Sequence, residues 1–167
     1  ADMETSAYYD GVRKEFYKTG EIKASVTEPY IYQGKMIVEQ VYPLIQAGEF
    51  VGIASVDRAL ADIDKSLQSI KQQSGRDLFL ISREGRFISS TVNSNNLKTK
   101  KLTETKYAEL FGKFFKNPKR NWLELSEDPT SNEMTYFASK LVSTGQWLLV
   151  LSEPEELVVG PIRSQLF

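Results

Sequence analysis

Residues 48–60 read GEFVGIASVDRAL and residues 145–157 read GQWLLVLSEPEEL; laid over each other at a fixed offset of 97 positions, they put Gly48 on Gly145, Phe50 on Trp147, Ser55 on Ser152 and Leu60 on Leu157. In each copy a Gly opens a run of aromatic, aliphatic and β-branched residues, and that run gives way to a segment of helical character. Each copy therefore reads as a turn, a strand and the start of a helix. A fixed offset over such elements marks tandem units of one architecture. With one extra residue in the loop the preceding runs also superpose, KMIVEQVYPLI (35–45) on EMTYFASKLV (133–142), Met36 on Met134.

Outward from the first copy, Tyr8, Tyr9, Val12 and Phe16 recur at helical spacing and Gly20 follows as a C-terminal cap, which predicts a helix over about 1–19. Three strand-like runs come next, IKASVTEPYIY (22–32), KMIVEQVYPLI and EFVGIASVD (49–57), separated by Gln33-Gly34 and Ala47-Gly48. Those dipeptides are hairpin turns, so the runs form an antiparallel meander. Leu60, Ile63, Leu67 and Ile70 then step by three and four, and this helix ends before Ser74-Gly75. DLFLISREGRFISST (77–91) reads as two short strands around Glu84-Gly85, and TVNSNNLKTKKLTET (91–105) as an exposed polar loop. YAELFGKFFKN (107–117) is a helix stopped at Asn117-Pro118, with Phe111, Phe114 and Phe115 as its buried face. Three strands close the second unit: NWLELSED (121–128), EMTYFASKLV and QWLLVLSE (146–153).

The second unit thus runs hairpin, helices, three-strand meander, whereas the first opens on a helix. Subtracting the same offset places the counterparts of 79–89 ahead of residue 1. The first unit is expected to be incomplete, with an open sheet edge filled either by strands trimmed from this polypeptide or by a neighbouring chain. The tail 152–167 is amphipathic and stops as a helix cut from a longer protein does. The expected organisation is α+β: antiparallel sheets flanked by helices, with 1–58 as the end of one unit, 59–75 as a connecting helix, 76–156 as the second unit and 157–167 as the start of a C-terminal helix.

Composition narrows the function. The 167 residues include no His and no Cys, so no Ser/His/Asp or Cys/His nucleophile, thiolate or imidazole metal site, or redox pair can be built. Lys and Arg number 21 against 22 Asp and Glu, and a net charge of -1 supplies no field for nucleic acid. The sequence offers no catalytic residues, cofactor motif or metal site. Glu127 and Asp128 are two loop acids of the kind that can ligate Ca²⁺, but two acids alone are common in loops. Lys98, Lys100 and Lys101 form a solvated run, since no Gly-rich loop accompanies them. Trp122, Tyr136 and Trp147 lie on strands and could line a pocket, although their alternation also fits packing.

At this point the residues resemble a family. An Asp, an aromatic pair opening a helix, a Pro-Tyr at the next strand, a Pro in the middle strand and a Gly-containing strand ending in Asp are found here as Asp2, Tyr8-Tyr9, Pro29-Tyr30, Pro43 and FVGIASVD through Asp57. This order is similar to the tandem Cache (double PDC) sensor domains of bacterial transmembrane receptors, and FLISREGRFISS and GQWLLVLSEPEE match the second unit of that family. The resemblance implies a PAS-like fold and a periplasmic ligand-sensing ectodomain of a chemoreceptor, diguanylate cyclase or sensor kinase. Such a domain is anchored through flanking membrane helices missing here, and homodimers are possible. It implies a small-molecule partner, an amine or amino-acid-like ligand, held by Tyr8, Tyr9, Tyr30 and Asp57, with the Asp on the amino group. The family's amino-acid sensors carry an Arg two residues before the aromatic pair, and here that place is Ser6. Arg13, one turn after Tyr9, is the available substitute, and Arg58 reads as a surface charge. Tyr at helical spacing also fits a core, and Asp57 also stands where the N-cap of the following helix would. The competing function is a structural or dimerisation ectodomain without a ligand.

Overall fold

In a computed structural model, which describes residues 3–166 and the side chains of 9–161 and 163–165, the chain divides into two compact units at Leu60/Ala61. Unit 1 opens with α1 (Met3–Thr19), closed by Gly20, whose φ of +69° lets its N–H reach the Phe16 carbonyl at 2.7 Å. The long β3 (Lys35–Gln46) and β4 (Glu49–Ala59) form a hairpin whose turn, Ala47-Gly48, has both residues at positive φ. That is the mirror-image turn whose twist suits a two-residue hairpin. The run expected as one first strand is two short pieces, β1 (Ser25–Val26) and β2 (Tyr30–Tyr32), both antiparallel to β3. Pro29 has no N–H for a continuous ladder, so the run breaks just before it. Thr27 bridges the gap: its N–H donates to the Glu39 carbonyl and its hydroxyl accepts from the Glu39 N–H, both at 3.0 Å.

Unit 2 contains α2 (Leu60–Ser74), β5 (Asp77–Ile81), β6 (Phe87–Ser90), α3 (Ser94–Leu97), a 3₁₀ turn at Leu102–Glu104, α4 (Ala108–Lys116), β7 (Leu123–Glu127), β8 (Met134–Val142), β9 (Trp147–Pro154) and α5 (Glu155–Leu166). Its sheet is antiparallel in the order β6-β5-β9-β8-β7. The stretch read as an exposed polar loop is instead folded, because Leu97 and Leu102, isolated apolar residues among polar ones, are buried in the core. Lys98 is not simply solvated: it pairs with Asp64 of α2, which also accepts from the Ser89 hydroxyl at 2.5 Å. Lys71, on the same helix, pairs with Asp77 at 2.7 Å.

One face of this sheet is closed by an aromatic cluster. Phe79, Ile81, Phe87, Phe137, Leu148 and Val150 meet Tyr107, Leu110, Phe111 and Phe114 of the α4 region, and Phe115 and Trp122 pack partly buried at its margin. Tyr107 stacks on Phe111 at 4.7 Å, and its hydroxyl shares a 2.8 Å hydrogen bond with Thr130 and donates to Asp128 at 3.4 Å. Burial, opposed by the Thr130 bond and reinforced by the Asp128 carboxylate, pushes this phenol up to about 12. Because the unfolded phenol ionises near pH 10, Tyr107 leaves stability unaffected below about pH 10 and lowers it from there to about pH 12, by about 1.4 kcal/mol per pH unit. Urea midpoints measured between about pH 9 and about pH 11.5 should show this extra alkaline slope, and Tyr107→Phe should abolish it.

Candidate functional site

The central strand of unit 1 sets the geometry. Along β3, Ile37, Glu39, Val41 and Pro43 are buried and Gln40, Tyr42 and Leu44 exposed, with Val38 buried as well; strand alternation puts the odd-numbered residues on one sheet face. Cross-strand partners share that face. Tyr30 lies opposite Ile37, Asp57 opposite Glu39, Ser55 and Ser25 opposite Val41, and Ile53 opposite Pro43. The Tyr30 hydroxyl donates to Glu39 Oε2 at 2.8 Å. Glu39 is only 8% exposed, and Asp57, on the same face, is exposed.

Two of the expected site residues, Tyr30 and Asp57, therefore share one sheet face, on separate strands that each pair with β3, and Glu39 of β3 stands on that face with them. In the sequence the signal for Glu39 is a carboxylate inside the alternation Ile37–Glu39–Val41. Asp57 is not a helix N-cap: β4 runs on to Ala59, and α2 starts at Leu60. Tyr9 sits elsewhere, its ring edge-on to Phe50 at 5.1 Å. Phe50 pairs with Ile45, six residues along β3 from Glu39, roughly 20 Å at strand rise. The Tyr8 side chain lies outside the described residues, as does Asp2.

The two guanidinium groups of unit 1 stand apart from this cluster. Arg58 pairs with Val38 on the opposite face, and Arg13 lies over the Tyr17 ring at 5.9 Å. Lys35, on the cluster's own face, is exposed at the open end of β3. A site with two carboxylates, a phenol and no facing guanidinium suits a protonated amine better than a carboxylate.

Unit 2 has a phenol–carboxylate pair of its own, Tyr107 and Asp128, but it is buried. The inner face of its sheet is occupied by the aromatic cluster. Asp128 is buried and holds its own loop, accepting from the Thr130 N–H at 2.7 Å and the Ser131 N–H at 3.4 Å. It is an Asx turn, and no group of three acidic residues able to hold a metal ion occurs among the described residues. Tyr136 lines a groove of about 350 Å³ on the outer face with Leu123, Ala138, Leu151 and Val158; Arg76 and Glu153, paired at 2.9 Å, form its polar rim. Trp122 packs on the core margin and under Arg120, and Trp147 is half-buried on β9. No helix among the described residues is long and apolar enough to cross a membrane.

No protein-family model and no curated protein matches the chain. Solved structures do. The extracellular domain assigned to the histidine kinase mmHK1S-Z3 superposes with a TM-score of 0.71 at 26% identity, over 96% of this chain and 58% of that one. The ligand-binding domain of the Pseudomonas fluorescens chemoreceptor CtaA, solved with L-leucine, gives 0.63 at 18% identity, over 94% and 62%. That of the Pseudomonas aeruginosa amino-acid chemoreceptor PctC, solved with GABA, gives 0.58 at 20%, over 92% and 63%. The last two likenesses are of fold. In each case the chain spans only part of the domain it matches.

Proposed function

We propose that this chain, whose fold is the PAS-like Cache fold of extracellular sensor domains, is the ligand-sensing part of a bacterial transmembrane receptor, and that its ligand is a small amine or amino-acid-like molecule bound by its ammonium group. The observation that carries this reading is the Tyr30–Glu39 hydrogen bond with Asp57 directly across from Glu39 on one sheet face. A buried carboxylate is costly unless neutralised or hydrogen-bonded, and an organic cation supplies both remedies. Receptors that signal through such a domain need the ligand only to favour one state over the other. The catalytic output then belongs to another part of the polypeptide, on the far side of a membrane anchor outside these residues. The filled interior of unit 2 favours a relay or dimerisation role for that unit rather than a second pocket.

A thermal-shift screen of alkylamines, amino acids, dicarboxylates and nucleobases tests the reading. An amine at 100 times its dissociation constant adds about 2.7 kcal/mol of stability. Stabilisation by dicarboxylates alone would contradict the assignment of the ligand class, and silence across the screen would favour the ligand-free structural role.

A further inference from the structure

The near-neutral balance of the whole chain conceals an uneven distribution within unit 2. Strand register defines two ends of its sheet: at one, Ile81 and Leu141 both lie opposite Leu148, and at the other, Asp77 lies opposite Ser152 and Glu127 opposite Met134. The first end carries the turn 82–86, and 100–102 is tied to it, the Phe87 N–H donating to the Lys100 carbonyl at 2.9 Å and the Leu102 N–H to the Gly85 carbonyl at 2.8 Å. Residues 116–120 join them, because the Phe115 ring lies against Gly85 and Arg120 stacks over Trp122, just ahead of β7, at 4.0 Å. Together 82–86, 100–101 and 116–120 hold seven cations and one carboxylate, Glu84. At the second end, 127–134 and 153–156 hold six carboxylates and no cation. Arg76 and Arg163 each pair with one of these, Glu153 and Glu156. Lys100, Lys116 and Lys119 at the first end, and Glu127, Glu133 and Glu155 at the second, have no ion-pair partner among the described residues. Like charges gathered in this way repel and cost the fold stability, a cost that opposite charge from outside offsets.

We propose that unit 2 associates head to tail with unit 2 of a second copy of this chain, the cationic sheet end of one against the acidic end of the next. Charge complementarity identifies the partner, since the excess at one end is matched in sign and in formal size by the other end of an identical molecule. The two surfaces differ, so the contact is heterologous: each copy keeps one end free, and the association runs on past two copies, which distinguishes it from a two-fold dimer. Exposed ion pairs contribute little individually and are screened by salt, so the contact is weak in dilute solution. This inference is independent of what the face of Tyr30, Glu39 and Asp57 binds.

Sedimentation equilibrium of the 167-residue chain across a concentration series tests it. At about 20 mM salt the mean mass should climb with concentration past that of a dimer, and at about 500 mM, where the screening length falls to about 4 Å, the chain should be monomeric. Two charge reversals at exposed positions, Lys100→Glu with Lys119→Glu and Glu127→Lys with Glu133→Lys, should each lower the association constant at least about tenfold, with circular dichroism unchanged. Mixed in equal amounts, the two variants should form a dimer and nothing larger, because only one complementary pair of ends remains. A monomeric mass at every concentration and salt would overturn the proposal, as would a mixture that stays monomeric. An association that stops at two copies and survives both reversals would replace it with a two-fold contact. A monomeric chain that binds phosphatidylglycerol vesicles through Lys100 and Lys119 would also overturn it, assigning the cationic end to a lipid surface.

Discussion

Phe111→Ala should lower the stability of unit 2 by about 3–5 kcal/mol, the usual cost of removing a fully buried ring. Phe111 is 0% exposed and lies where the cluster's rings converge: Phe79 meets it edge-on at 5.0 Å, Tyr107 stacks on it at 4.7 Å, and Phe114 and Phe137 lie at 5.9 and 5.7 Å. Neighbouring rings are held between sheet and helix on several sides, so they cannot all move to fill the void, and the lost transfer energy is compounded by an unfilled cavity. Leu123→Ala, at a side chain 74% exposed, should change stability by no more than about 0.5 kcal/mol. Urea unfolding followed by near-ultraviolet circular dichroism measures both. Equal small effects would mean that the aromatic cluster is not the core of unit 2.

Asp57→Asn should weaken binding of an amine ligand by roughly 10- to 150-fold while leaving the fold intact, because a charge-assisted hydrogen bond contributes about 1.5–3 kcal/mol. The fold should not register the change, since the Asp57 side chain is exposed and its strand is fixed through backbone pairing with β3. Glu39→Gln differs in kind. It is buried and accepts from the Tyr30 hydroxyl, so it should lose ligand affinity and some stability together. Calorimetric titration of the two variants, alongside their urea midpoints, separates the roles. An Asp57→Asn variant with unaltered affinity would remove Asp57 from the site.

The parts of this fold legible in the sequence were those with a strong period or an obligatory turn. Gly20, Gly34, Gly48, Gly75, Gly85 and Gly145 all take positive φ, and the turns and helix ends read at those positions are present. The parallel between 48–60 and 145–157 reappears as two equivalent hairpin strands, β4 and β9. What composition hid was burial decided by tertiary contact. Leu97 and Leu102 are single apolar residues in a polar stretch, and only the sheet they cover shows that the stretch is structured. Lys98 looked like one of three solvated lysines until Asp64, 34 residues away, paired with it. The candidate site divides in the same way. Tyr30 and Asp57 stand at sequence positions a resemblance can mark, whereas Glu39 becomes a site residue only through the β3–β4 register that sets it opposite Asp57. Asp57 as an N-cap was a reasonable expectation from its place before a helical period, but two further strand residues intervene.

The central claim is that an organic cation binds the face of unit 1 bearing Tyr30, Glu39 and Asp57, and chemical-shift mapping tests it most directly. The amine giving the largest stabilisation is titrated into ¹⁵N-labelled chain while the backbone amides are followed. The account predicts saturable shifts clustered at 30–32, 37–41 and 55–59, with the resonances of unit 2 unmoved. Shifts centred instead on the groove of Leu123, Tyr136 and Leu151, or none at saturating amine, would contradict it.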